Sequence, residues 1–182
     1  RSTSNKILTM LIELIFSISN YRTIDPLINI LFWTVLNNVL AEKEVIKVIE
    51  SFFNVGKTKN FSKLREIQLN DSMFSSFSDV PPYNLKNYSD TIVLEELRFS
   101  SISDYEYKII DPITSIFGNV AITKFRLMQK GMLVDNKAFT GTHITINGRA
   151  TFVLIMKDGW KIVHFHLDKT FEWFSLKIIS VL

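Results

Sequence analysis

The spacing of the apolar residues changes once along this chain, and that change constrains the fold more than any other feature. Between residues 41 and 102 apolar residues recur every three or four positions, which is typical of helices that bury one face. After Ser103 they alternate with polar residues, which is typical of half-buried strands. Asp158-Gly159 separates the last two alternating runs and predicts a tight hairpin turn. The order predicts an α+β fold in which three helices precede a curled antiparallel sheet of four or more strands.

The helical part divides into three segments. The first begins near Ala41, is expected to end at Gly56, and has an apolar face made of Val45, Ile46, Ile49, Phe52 and Phe53. The second is predicted to be capped by Asn60, and its apolar face carries Phe61, Leu64 and Ile67. The third follows the Pro81-Pro82 loop and is predicted to be capped by Ser89 or Asp90. Its apolar residues are Ile92, Val93 and Leu97.

Residues 1–40 differ in composition from the rest, so the domain itself is predicted to span 41–170, with a tail at 171–182. Two apolar runs lie in 1–40, but neither reaches the ~18 uninterrupted apolar residues of a membrane span. Three interpretations stay open: a weak membrane or interfacial anchor, a pair of packing helices, or a stretch that is not part of the natural product. The last two are favoured, and membrane association is not expected.

The charge pattern argues against nucleic acid as a partner. The formal net charge is +3, but the basic residues are scattered and form no stripe that could follow a phosphate backbone. The chain has no cysteine, which excludes disulfides, thiolate catalysis and cysteine-based zinc sites. A cysteine-free chain fits a reducing compartment, so a cytoplasmic location is expected.

The closing stretch "GRATFVLIMKDGWKIVHFHLD" (148–168) resembles the SnoaL-like branch of the nuclear transport factor two-like superfamily, which includes ketosteroid isomerase. The matching pattern is Arg-x-Thr-x-Val on one strand, a Lys-Asp-Gly turn, and then Trp-Lys-Ile-Val-His-x-His. Further matches are "FSDVPPY" (77–83) and "FGNVAI" (117–122). The resemblance covers roughly residues 41–170.

This resemblance implies a cone-shaped domain in which three helices pack against a strongly bent sheet that opens at one end to a pocket. Relatives are often homodimers through the outer face of the sheet, and they include isomerases, cyclases and dehydratases that use no cofactor. Two functions therefore stay open, because one fold serves many activities. The pocket could bind, and convert by acid–base chemistry, a small apolar organic molecule. Alternatively, the domain is a non-enzymatic dimerisation or scaffold module whose cone is filled by side chains.

The last strand carries two histidines. Because side chains alternate along a strand, Trp160, Ile162, His164 and His166 are predicted to share the face that looks into the pocket. The two rings would then lie about 7 Å apart, a spacing that two ligands of one metal tolerate. His143, the remaining histidine, lies on another strand, so no metal site is predicted. His164 and His166 are instead candidate acid–base residues.

Asp79 is the candidate catalytic carboxylate, since it follows the second helix where relatives place acids of the pocket. Desolvation in an apolar cavity would raise the pKa of such a group. Its alternative role is to form the turn before the two prolines. In ketosteroid isomerase an apolar site raises the pKa of a carboxyl group. The Tyr–Asp–Asp set of that enzyme has no residue-by-residue match here.

Four further side chains are candidate ligand-binding residues. Tyr83 and Tyr88 follow Asp79 in the same loop and could donate hydrogen bonds. Arg149 could neutralise an anionic substrate or bridge to a carboxylate such as Asp111 across the sheet. Trp160 is expected to anchor one face of the sheet by packing.

Overall fold

The computed structural model of the protein describes residue 13 and residues 26–135 and 140–170. By internal compactness the chain divides into two units, Arg1–Glu44 and Val45–Leu182. The elements, in chain order, are α1 (Pro26–Thr58), α2 (Ser62–Ile67), β1 (Ser75–Phe77), α3 (Tyr88–Ser100), β2 (Ile102–Phe117), β3 (Val120–Asp135), β4 (Thr140–Met156) and β5 (Trp160–Lys169). The predicted tail at 171–182 lies outside the described residues.

The five strands form one sheet in the order β1-β5-β4-β3-β2. Strands β2, β3 and β4 each pair antiparallel with the next strand along the chain. The sheet is mixed, however, because β1 pairs in parallel with β5. Strand β1 precedes α3 and the other four strands in the chain. The connection from β1 to β5 is therefore long enough for β1 to lie parallel to β5 at the edge of the sheet. The predicted α+β class, with helices packed on a curled sheet, is confirmed.

The predicted hairpin between the last two strands is confirmed. Met156 pairs with Trp160, and the loop between them contains Asp158 and Gly159. Both loop residues have positive φ, at 52° and 100°, which is the conformation that Asp-Gly adopts readily.

Phenylalanine rings dominate the core of the second unit. The ring of Phe52 on α1 lies 5.1–5.8 Å, centroid to centroid, from four other rings, those of Phe53, Phe99, Phe152 and Phe165. All five side chains are 0% exposed. Aromatic pairs at such distances contribute beyond their buried area, so this cluster joins two helices to the middle of the sheet.

Helix α1 shows two different surroundings along its length. From Val45 onward, four of the five residues on the predicted apolar face are buried, namely Val45, Ile49, Phe52 and Phe53, and Ile46 is half-buried. In the described part of the first unit, large apolar side chains are exposed: Leu27, Ile28, Ile30, Leu31, Trp33, Val35 and Leu40. No helix within the described ranges is long and apolar enough to cross a membrane.

Gly56 does not end α1, contrary to the prediction, because the helix continues to Thr58. A Cβ at position 56 would lie 2.4 Å from Cδ1 of Tyr105 and 2.8 Å from Cδ1 of Phe99. The residue is therefore a point of close packing within the helix, and its lack of a side chain admits the two rings.

The predicted helix caps are wrong by one to three residues. Helix α3 is capped by Asn87, whose Oδ1 accepts a hydrogen bond from the backbone N–H of Asp90 at 2.9 Å, and not by Ser89 or Asp90 themselves. The position before α2 is Phe61, which makes no side-chain cap bond, so Asn60 is not the cap. Several cap-forming residue types cluster before each helix, and the backbone path selects among them.

A β-bulge in β5 reverses the predicted orientation of the histidines. His164 pairs with Val153, but the next residue of β4, Leu154, pairs with Ile162, which leaves Val163 as an extra residue. An extra residue shifts the alternation of side chains by one position. The prediction that one face carries Trp160, Ile162, His164 and His166 is therefore wrong.

Burial along β5 agrees with the bulge. The core face carries Trp160 and Ile162 before the bulge and Phe165 and Leu167 after it. All four side chains are at most 6% exposed. His164 is half-buried and His166 is exposed, on the outer face of the sheet.

Candidate functional site

A cavity of about 360 Å³ lies where β1 ends beside the last residues of β5. Strand β1 stops at Phe77 because the chain leaves the sheet toward Pro81-Pro82, whereas β5 continues to Lys169. The apolar and aromatic lining consists of Phe77, Tyr83 and Leu167, and the polar lining of Ser78, Asp79, His166, Asp168 and Lys169. Ligand sites commonly have ~300–1,000 Å³, so the cavity is large enough for a small molecule.

The structure brings some of the predicted site residues together and not others. Asp79, Tyr83 and His166 line this cavity, and Asp79 is 5% exposed. Tyr88 begins α3, and its ring packs on Phe74 at 5.7 Å. The remaining predicted residues, His164, Arg149 and Trp160, are also outside the cavity lining.

Arg149 and Trp160 have structural surroundings. Arg149 pairs with Asp168, its cross-strand neighbour on β5, with Nη2 and Oδ2 2.5 Å apart. Asp111, the predicted partner, pairs instead with Arg126. Asp168 is the partner because the strand register places it beside Arg149. Trp160 is 6% exposed, as expected for a packing anchor.

Helix α3 buries its charged residues and exposes its apolar ones. Glu95 is 0% and Arg98 7% exposed, whereas Val93 and Leu97 are 57% and 59% exposed. Of the three apolar residues that the sequence analysis assigned to this helix, Ile92 is buried, whereas Val93 and Leu97 are exposed. Buried charges are tolerated only when they are paired and hydrogen-bonded, so the helix must meet partners there.

Arg98 is the centre of a buried polar cluster behind the wall of the cavity. Its Nη1 donates to Oε2 of Glu95 at 3.0 Å, and its Nη2 lies 3.2 Å from Oδ1 of Asp79. Nη2 also donates to Oε1 of Gln129 at 2.7 Å, and the same oxygen accepts from the hydroxyl of Tyr105 at 2.8 Å. One guanidinium thus faces two carboxyl groups, of which Asp79 lines the cavity.

Burial raises the pKa of Glu95, and the negative charge of Asp79 raises it further against the opposing pull of Arg98. For Arg98, burial acts to lower the pKa, but the charges of Glu95 and Asp79 outweigh it, so the pKa rises and the group stays charged. Burial also raises the pKa of the Tyr105 hydroxyl. A proton on Glu95 would leave the Arg98 guanidinium with fewer negative charges to balance in this buried cluster.

We expect Glu95→Gln to remove part of the pH dependence of the free energy of unfolding. A folded-state pKa above the unfolded value of 4.5 means that the native protein binds more protons, so wild-type stability falls as pH rises above that value. The amide cannot lose a proton, so the variant should lose less stability over the same pH range. Urea unfolding at a series of pH values measures the difference, and parallel profiles would show that Glu95 does not hold a proton.

His164 lies outside this cluster. Its Nδ1 is 2.9 Å from Oγ of Ser75 on the parallel strand β1. The Phe77 ring lies 6.4 Å from the ring of His164 and 5.5 Å from that of His166, centroid to centroid. Burial lowers the pKa of His164, and the neighbouring His166 lowers it further.

The sequence reasoning missed the main members of the cluster, Glu95, Arg98, Tyr105 and Gln129. A signal was present, because Glu95 and Arg98 are three residues apart and lie on the same helical face as Ile92 and Phe99. Charged residues among buried apolar ones on a helix face indicate a buried pair. Gln129 and Tyr105 carried no comparable signal, since strand pairing alone brings them to the cluster.

No group of three or more metal-ligating His, Asp or Glu side chains occurs within residues 26–135 and 140–170. No protein-family model matches the sequence, and neither does any curated protein sequence.

Solved structures do match the chain. A proposed dehydratase of the NTF2-like family from Streptomyces avermitilis is 16% identical, with a TM-score of 0.63 over 72% of this chain and 98% of that chain. An NTF2-like superfamily protein from Salmonella enterica is 17% identical, with a TM-score of 0.63 over 77% and 98%. The association domain of CaMKII from C. elegans is 18% identical, with a TM-score of 0.55 over 70% and 94%. The chain therefore has the NTF2-like fold.

Proposed function

We propose that this protein is a SnoaL-like member of the superfamily that binds a small, largely apolar organic molecule in the cavity beside β1 and β5. The observation that carries the proposal is Asp79, a carboxylate that lines a cavity of about 360 Å³ and is held from behind by Arg98. A mostly apolar pocket with a few convergent polar groups is the usual form of a small-molecule site.

The charges around the cavity disfavour a cationic ligand. Asp79 faces Arg98, and Asp168 is paired with Arg149, so each carboxylate already has a counter-charge. A cation would lose its hydration without gaining an unpaired carboxylate as a partner. Phe77, Tyr83 and Leu167 supply apolar surface for the carbon skeleton.

The chemistry that this arrangement supports is proton transfer without a cofactor. Asp79 would act as the base that removes a proton from carbon or oxygen of the ligand, with the Arg98 cluster holding the carboxylate in place. His166 also lines the cavity and could give its own ring proton to the ligand at a second position. Asp79 would then release the abstracted proton to water, and His166 would regain one from water. His164 has no part in this proposal, because it is outside the cavity lining and its Nδ1 lies beside Oγ of Ser75. An isomerisation or a dehydration would use these steps.

A neutral bicyclic ketone, 2-tetralone, tests both binding and proton transfer. We expect the protein to accelerate hydrogen–deuterium exchange at the carbon next to the carbonyl, measured by NMR in D₂O. Asp79→Asn should abolish the acceleration and weaken binding by about tenfold or more, because hydrogen bonds to charged groups contribute ~1.5–3 kcal/mol.

Asp71→Asn is the matched control, since Asp71 is outside the cavity lining and should leave exchange unchanged. Binding without exchange would restrict the function to binding. The absence of both, with the fold intact by circular dichroism, would contradict the proposed function.

A second candidate function is self-association through the outer face of the sheet, in a homodimer. Two cross-strand rows there are apolar: Ile122 beside Val153, and Phe117 and Ile155 on either side of Val120. Phe117 and Ile122 are 64% and 37% exposed. The similarity to an association domain supports this candidate.

We expect Ile122→Lys to shift the protein toward the monomer, because a charge on that face must be desolvated for two copies to pack. Sedimentation velocity over a range of concentrations measures the shift. Val93→Lys is the control, since Val93 is an exposed apolar residue on α3 and not on the sheet. Equal sedimentation of wild type and Ile122→Lys would contradict this interface.

A further inference from the structure

We propose that His164 and His166 form a two-nitrogen binding site for a late first-row transition-metal ion such as Cu²⁺ on the outer face of the sheet. Such a site shares His166 with the cavity lining but does not involve Asp79. It needs only two protein ligands because the other coordination positions of the ion would be open to solvent. The site depends on four features of the structure: the shared face of the two rings, the support of His164, the rigidity of β5 and the donor set.

The two histidines share one face of one strand. They lie after the bulge, on either side of the buried Phe165, so both point away from the core. Alternate residues of a strand are about 7 Å apart, and two imidazoles at that spacing can turn toward one ion with metal–nitrogen distances of ~2.0–2.1 Å.

Ser75 supports His164 as a ligand. With Nδ1 of the ring 2.9 Å from Oγ of Ser75, Nε2 is the nitrogen left for a metal ion. Metal binding at Nε2 requires the proton on Nδ1, which then donates to the serine oxygen. A hydrogen bond of this kind to the second nitrogen is the usual support of a metal-bound histidine, because it fixes the tautomer and the ring plane.

The backbone that carries the pair is held on both sides. In the segment with both histidines, β5 pairs with β1 through Ser75 and Phe77, and with β4 through Thr151 and Val153. The Phe77 ring contacts both imidazoles, which restricts their movement. A pair of ligands on such a rigid segment loses little conformational entropy when the ion binds.

The donor set indicates which ions bind. Within the described residues no carboxylate completes a three-ligand group with the histidines, so the site offers imidazole nitrogen alone. Imidazole suits Cu, Ni and Zn, whereas Mg²⁺ and Ca²⁺ require oxygen ligands, and Cu²⁺ has the highest affinity among the divalent ions of this series.

Titration of the full chain with Cu²⁺, in a buffer that does not coordinate copper and followed by electron paramagnetic resonance, tests the proposal. We expect one ion per chain at a site whose spectrum shows two imidazole nitrogens. His164→Ala and His166→Ala should each abolish that two-nitrogen signal. Ser75→Ala should keep the signal but weaken the affinity by about tenfold or more, as for other groups that support a metal-bound histidine. Mg²⁺ at the same concentration should not compete.

His143→Ala is the matched control, because it removes the one other histidine, which lies on β4. It should leave the two-nitrogen signal unchanged. His166→Asn is a second variant in case His166→Ala is poorly folded, since the exposed position tolerates a polar side chain. The proposal is overturned if the wild type shows no two-nitrogen signal, if the signal survives either replacement in the pair, or if it depends on His143.

Discussion

Arg98→Met is expected to lower the free energy of unfolding by about 3–5 kcal/mol, because removing one partner of a buried ion pair leaves the other charge without compensation. Here two carboxyl groups, Glu95 and Asp79, lose the same guanidinium. Gln129 also loses the donor of its 2.7 Å hydrogen bond. Methionine keeps much of the length of the side chain, so the loss measures electrostatics more than packing.

Urea unfolding followed by circular dichroism measures this effect, and Arg65→Met is the matched control. Arg65 pairs with Glu96 at the surface, where its side chain is 53% exposed, so that change should cost only about 0–1 kcal/mol. Combining Arg98→Met with Asp79→Asn and Glu95→Gln should recover part of the stability, since no buried charge then stays unpaired. Equal losses for Arg98→Met and Arg65→Met would show that the buried cluster contributes no more than a surface pair.

Phe52→Ala is expected to cost about 3–5 kcal/mol of unfolding free energy, the range for large-to-small changes in a core that cannot collapse. The ring is 0% exposed and contacts four other rings from α1, α3, β4 and β5. Because these elements are linked by their own packing, they cannot close fully over the space that the ring leaves. The loss should therefore include a cavity contribution as well as the lost transfer free energy.

Phe117→Ala is the matched control for this prediction. It deletes the same atoms at a position that is 64% exposed, so little apolar area returns to water on unfolding. The control should lose much less stability than Phe52→Ala in the same urea unfolding experiment. A small loss for Phe52→Ala, with a cooperative transition preserved, would show that the core repacks around the missing ring.

Local sequence patterns predicted the structure correctly where a pattern fits one backbone conformation only. The alternation after Ser103 required strands, and Asp158-Gly159 accepts the positive φ of the tight hairpin that joins the last two. The apolar face of α1 from Val45 was predicted for the same reason, since its spacing fits only a helix that packs one side. Asp79 was a candidate because relatives place acids of the pocket after the second helix, and Tyr83 because it follows in the same loop. Both line the cavity, and their roles stay predictions.

The predictions of side-chain orientation and pairing were wrong where a local sequence pattern was compatible with two arrangements. The face of β5 depended on a strict alternation of side chains, and one extra residue at Val163 reversed it for both histidines. Helix α3 carries apolar residues on two sides, and burial of Glu95 and Arg98 selected the side that spacing alone did not favour. Asp111 was the carboxylate named as a possible partner of Arg149, but the strand register placed Asp168 beside Arg149 instead.

The sequence by itself determined the type and order of the elements, because helix and strand periodicity and turn chemistry act between residues that are close along the chain. Only the tertiary structure decided which side chains meet across the sheet and which charges are buried together. The cluster around Arg98 joins residues 79, 95, 98, 105 and 129. His164 contacts Ser75, which lies 89 residues before it in the chain. Contacts between residues so far apart in sequence depend on strand register and on a single bulge. No single segment of the chain determines either of them.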